Sequence, residues 1–132
     1  MATITNTIEV EKTLGRWKPS DLAYIERLSY ECAADGHPST LEITGLAQRR
    51  DLAIGGWPSD IGELFRIRLA FRHIRDLKIT AFNARPKQVT GFDITDVSDR
   101  GWEDVCFEVE DYENGYIHFL CKEIEVIQVT RA

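Results

Sequence analysis

The 132-residue chain has room for one hydrophobic core and one β-rich domain spanning residues 1–132. A mean hydropathy of −0.27 and the lack of any apolar run near ~20 residues argue against a membrane-spanning chain. The net charge of −6 argues against nucleic acid as a partner. The opening residues Met1 to Thr5 lack the basic start and apolar stretch of a secretory signal, so a cytoplasmic location is expected.

Charge is unevenly spread. Residues 48–90 carry nine basic and four acidic side chains, whereas residues 91–125 carry two basic and eleven acidic ones. Either the two blocks neutralise each other across neighbouring strands, or the acidic block is a recognition face.

Taken in chain order, Thr5 to Leu14 reads as a short helix or a frayed lead-in, and Trp17-Lys18-Pro19-Ser20-Asp21 as a turn. Residues Leu22 to Ala33 admit a helix capped by Ser20. Leu28, Tyr30 and Cys32 alternate with polar residues, however, so a strand is expected. Asp35-Gly36 then turns the chain into a return arm through Leu41 and Ile43. A short strand is expected around Leu52 and Ile54, and a loop at Gly55-Gly56-Trp57-Pro58-Ser59-Asp60.

The clearest amphipathic strand follows, with Phe65, Ile67, Leu69 and Phe71 on one face and Arg66, Arg68 and Arg72 on the other. Leu77, Ile79 and Ala81 continue as a strand to a turn at Asn83-Ala84-Arg85-Pro86. Phe92 and Ile94 mark another, ending near Ser98-Asp99-Arg100-Gly101.

In the last hairpin, a two-residue Asn114-Gly115 turn would scatter apolar and acidic groups over both faces. A three-residue loop, Glu113-Asn114-Gly115, instead pairs Val109 with Phe119, Phe107 with Cys121 and Glu110 with His118. Gly115 then falls where the loop needs positive φ. Beyond Cys121 the parity changes, which predicts a bulge near Lys122-Glu123 or a strand buried on both faces. The expected fold is mainly β: seven or eight strands in an antiparallel meander forming a sandwich or strongly curved sheet, with at most one short N-terminal helix.

Catalytic constellations are scarce, and no enzymatic activity, cofactor or metal is expected: the chain has no phosphate-binding glycine loop, His-Glu-x-x-His or Cys-x-x-Cys. Cys32, Cys106 and Cys121 fit no zinc spacing and read as small buried hydrophobes in a reducing compartment. His37 reads as solvent-facing and His73 as part of a charged edge. Glu103, Asp104, Glu108, Glu110, Asp111 and Glu113 form the densest acidic cluster. Calcium is disfavoured there because the regular carboxylate spacing of an EF-hand is missing. A partner-binding face is expected instead, with Trp102 and His118 among its contacts and Tyr112 beside them. The competing expectation is a small-ligand or enzymatic pocket near Trp57 or Trp102, which needs convergent polar groups.

Three stretches carry a family resemblance: Leu77-Lys78-Ile79-Thr80-Ala81-Phe82-Asn83, Gly91-Phe92-Asp93-Ile94, and Ile117-His118-Phe119-Leu120-Cys121-Lys122-Glu123-Ile124-Glu125-Val126. In order and spacing, over roughly residues 62–127, this part of the chain resembles immunity-protein family 50. The resemblance implies a bacterial protein that neutralises a toxin of a contact-dependent or polymorphic system by binding it, with no catalytic residue. The first half departs from the family pattern: Trp17 to Asp21 supplies only a Trp and an Asp where an aromatic-His-Asp opening belongs.

Overall fold

The computed structural model describes residues 2–53, 55–59, 62–80 and 86–132. Ile54, Asp60, Ala81, Phe82, Asn83, Ala84 and Arg85, on which parts of the expected strands, loop, turn and resemblance fall, lie outside the described residues.

Alternation with a period of two becomes strand almost wherever the chain carries it. The strands are β1 (Leu22–Glu31), β2 (Thr40–Ala47), β3 (Phe65–Arg72), β4 (Arg75–Ile79), β5 (Lys87–Gln88), β6 (Phe92–Asp96), β7 (Phe107–Asp111), β8 (Ile117–Cys121) and β9 (Glu123–Arg131). They form two antiparallel sheets, a larger one in the order β5-β1-β2-β3-β9 and a smaller one in the order β4-β8-β7-β6. The chain runs as a meander through β1-β2-β3 and again through β6-β7-β8, but changes sheet at β3–β4, β4–β5, β5–β6 and β8–β9. One short helix, α1 (Thr7–Leu14), packs against β9 and places Val10 and Leu14, four residues apart, in the core. The lead-in is therefore helical.

Residues 22–31 are strand, and the mixed spacing that also suited a helix has a physical cause. Irregularities between Leu22 and Tyr24 and between Ile25 and Arg27 shift the pairing with β2, so Ile25 and Leu28 both reach the core. Gly45 sits opposite this region, and a Cβ there would lie 2.7 Å from the Tyr24 carbonyl oxygen. The hairpin closes through Asp35 (φ 44°) and Gly36 (φ 82°), with Ala34 and His37 exchanging both backbone hydrogen bonds. This tip extends beyond the apolar core. Tyr30 and Cys32 are therefore exposed, contrary to their expected burial.

The expected strand around Leu52 is instead a 3₁₀ turn, Arg50–Leu52. The Arg50 backbone N–H is taken by the Asp21 carboxylate at 3.2 Å, and Leu52 is exposed. Asp21 is itself almost fully buried and accepts two hydrogen bonds from Arg16, at 2.6 and 2.9 Å. This pairing ties the segment after α1 to the end of β2.

Buried residues of both sheets form one cluster. Leu41 and Ile43 (β2), Leu69 and Phe71 (β3) and Ile124 and Val126 (β9) contribute from the larger sheet. Phe92 (β6), Phe107 and Val109 (β7) and Ile117 and Phe119 (β8) contribute from the smaller. The rings of Phe71 and Phe119 meet edge-to-face across the two sheets, 5.0 Å apart. The parity change after Cys121 marks the crossing itself: β8 ends, Lys122 donates to the Arg72 carbonyl, and β9 joins the larger sheet. A bulge does occur, but further on at Ile127, where Arg68 pairs with Gln128 and Leu69 with Val126.

The cysteines differ sharply. Cys121 is fully buried, and burial pushes its thiol up to about 12, while Cys32 is exposed. A thiol reagent at pH 8 should modify Cys32 promptly and leave Cys121 untouched until the protein is unfolded, as read by peptide mass spectrometry. Equal labelling of both in the native protein would contradict this packing.

Candidate functional site on the outer face of the smaller sheet

Strand alternation builds the site. In β7, Phe107, Val109 and Asp111 point to the core, leaving Glu108 and Glu110 on the outer face. In β8, Ile117, Phe119 and Cys121 point inward, leaving His118 and Leu120 outside. The pairing follows the three-residue loop: Phe107 with Cys121, Val109 with Phe119 and Glu110 with His118. Gly115 has φ 69°, and its N–H donates to the Asp111 carbonyl at 2.8 Å.

The neighbouring strands extend these positions into rows. Asp93, Glu110, His118 and Lys78 lie side by side across the sheet, and Thr95, Glu108, Leu120 and Arg75 form the next row. The face is thus acidic over β6 and β7 and basic at its far margin on β4. Sequence reasoning did not place Asp93, Lys78, Arg75 or Leu120 here. An irregularity in β4, where Asp76 adopts φ 53°, hides its register from simple alternation.

His118 stands opposite Glu110, but its hydrogen bond goes to Glu108. Nε2 of His118 lies 2.9 Å from Oε2 of Glu108, with both side chains partly exposed. The register places Glu110 directly across from His118, yet a long glutamate on the diagonal outreaches it for the side-chain contact. Glu110 has no cation partner among the described residues, yet its carboxylate stays within 4.8 Å of the other two groups.

Other expected contact residues are dispersed. Trp102, Glu103 and Asp104 lie in the loop before β7, at one end of the sheet, with Trp102 exposed and the Arg100 guanidinium 5.2 Å from its ring centre. Asp104 is paired with Lys122 at 3.3 Å, and the Glu103 carbonyl accepts from Arg75. Arg75, Trp102, Glu103 and Leu120 line a shallow depression there. Glu113 sits in the hairpin loop at the opposite end, beside exposed Tyr112, whose ring packs on Gly91.

Asp111 does not belong to the face at all. It is fully buried, and its Oδ1 accepts the Ile117 N–H at 2.9 Å, bracing the hairpin loop. Alternation already implied this, since the parity that buries Val109 also buries Asp111. Its assignment as a contact residue is corrected.

The arginine face of β3 is spoken for within the larger sheet. Arg66 pairs with Glu26 at 2.8 Å, Arg68 with Glu42 at 2.7 Å and Arg72 with Glu125 at 2.9 Å. Glu26 and Glu42 belong to the first third of the chain, so only Arg72 draws on the acidic block. The β3 arginines therefore do not neutralise the outer face of the smaller sheet, where the basic block contributes Arg75 and Lys78 at the β4 margin.

Around Trp57 the polar groups satisfy one another. The indole N–H donates to the Gln48 carbonyl at 2.8 Å, and the Gln48 amide exchanges hydrogen bonds with the Ser59 backbone at 2.7 and 3.1 Å. The depression beside them is lined by Gln48, Arg49, Leu52 and Ala53, with the Gln48 amide already engaged.

Fold and face together define a two-sheet antiparallel β domain that displays a charged sheet surface. No family model, curated protein or solved structure matches the chain. No helix among the described residues is long and apolar enough to cross a membrane.

Proposed function

We propose that this chain is a bacterial, cytoplasmic immunity-type binding protein that occludes a basic protein toxin through the outer face of its smaller sheet. One observation carries the reading. The arginines of β3 are engaged by glutamates of their own sheet, while Asp93, Glu110 and the Glu103 carboxylate have no cation partner among the described residues. An acidic face of this kind accelerates encounter with a basic partner and orients it. Exposed Trp102 supplies the large, rigid contact that such interfaces use as an anchor. Binding alone suffices, because a toxin whose active surface is covered needs no chemistry from its inhibitor.

The test is binding to a toxin sought among the genes beside this chain's own, and a neighbourhood that encodes none overturns the proposal. Glu108→Lys with Glu110→Lys should weaken that complex by at least about 100-fold, because like charges would then face each other. Ser29→Lys, on the outer face of the larger sheet, should change affinity by less than about twofold. Equal losses from both changes, or no complex with that toxin, would overturn the proposal.

A further inference from the structure

We infer that Glu108, Glu110 and His118 form a binding site for a divalent transition-metal ion of the zinc class. The inference goes beyond toxin binding and does not rest on it. Two adjacent strands supply the donors: Glu108 and Glu110 are two apart on β7 and so share a face, and β8 brings His118 directly opposite Glu110. One ligand atom from each residue lies within 4.8 Å of the other two. Ligands around a tetrahedral zinc ion stand about 3.3 Å apart, so small side-chain rotations close the remaining gap.

Electrostatics favours a cation here. His118 hydrogen-bonds only Glu108 among the described residues, yet Glu110 converges on the same point as a second carboxylate. Two carboxylates this close repel each other unless a positive charge lies between them. A neutral imidazole leaves that repulsion standing, whereas a divalent ion offsets both charges.

The donor set selects the metal. Calcium and magnesium prefer oxygen ligands throughout, whereas an imidazole nitrogen with two carboxylates suits zinc, cobalt or nickel. Three protein ligands on a partly exposed face leave a coordination position open to water or to an incoming side chain.

The experiment is calorimetric titration of the metal-free full-length protein with zinc chloride, with cobalt absorption reporting coordination. The expected result is one ion per chain, His118→Ala weakening binding by at least about 10-fold, and about a 100-fold excess of calcium failing to displace zinc. Far-UV circular dichroism checks that each variant is folded. Glu110→Gln provides the second test, since it removes a ligand while breaking no hydrogen bond or ion pair among the described residues, and it should weaken zinc to a similar degree. Absence of binding up to about 1 mM zinc would overturn the inference. So would unchanged affinity in both variants, which would place the ion elsewhere, or displacement by calcium. The titration contains only metal, so its failure leaves the toxin-binding proposal standing, and the reverse holds too.

Discussion

Phe119→Ala should lower the free energy of unfolding by about 3–5 kcal/mol, the largest effect expected of any single change in this chain. Phe119 is fully buried in β8, and its ring meets Phe71 of β3 edge-to-face at 5.0 Å. The substitution therefore opens a cavity at the contact between the sheets and also removes an aromatic pair worth about 1 kcal/mol. A loss of this size is a large share of the stability of a small domain. Urea denaturation provides the measurement, with Leu120→Ala as the comparison. Leu120 is the next residue on the same strand but points outward and is half-buried, so its truncation should cost about 1 kcal/mol. Equal costs at the two positions would mean that the sheets do not share the core described above.

Asp21→Ala should cost about 2–4 kcal/mol. Its carboxylate is almost fully buried and accepts three hydrogen bonds, two from Arg16 and one from the Arg50 backbone. Removing it leaves the Arg50 backbone N–H without its acceptor and the Arg16 guanidinium with only the Asp51 carboxylate, 3.3 Å away. Breaking a fully buried pair typically costs about 3–5 kcal/mol, and the discount here reflects the partial exposure of Arg16 and its remaining pairing with Asp51. Asp21→Asn keeps an acceptor and should cost less, so the order alanine, asparagine, wild type is expected in the same denaturation assay. An Asp21→Ala protein as stable as wild type would show that the segment after α1 is not anchored through this carboxylate.

Much of the β architecture was legible because side chains in a strand alternate with a period of two. Phe107, Val109, Phe119 and Cys121 could share a face only with a three-residue loop, so the hairpin register followed from residue identity. The partition into two sheets was not legible. Nothing local distinguishes a strand that bulges from one that leaves its sheet, and the parity change at Lys122-Glu123 suited both. The crossing depends on Lys122 meeting the Arg72 carbonyl, a contact fifty residues distant in sequence. Cys32 failed for a related reason: alternation assigns it a face, but only the assembled sheets show that the hairpin tip lies beyond their cover.

The site was partly legible. Glu108, Glu110 and His118 meet as strand pairing requires, although the choice of Glu108 over Glu110 depends on side-chain reach across a diagonal. Asp111 was misplaced by treating every acidic residue as a surface residue, when its parity already put it inside. Asp93 and Lys78 complete the face through strands whose neighbours could not be deduced from alternation.

The acidic face is the central claim, and its most direct test is the association rate with the basic toxin partner proposed above, measured against ionic strength. Steered encounter predicts that the wild-type rate falls at least about 10-fold between low and physiological salt, while the Glu108→Lys, Glu110→Lys protein starts slow and responds little. A wild-type rate that is flat across this range, or equally steep in the variant, would contradict it.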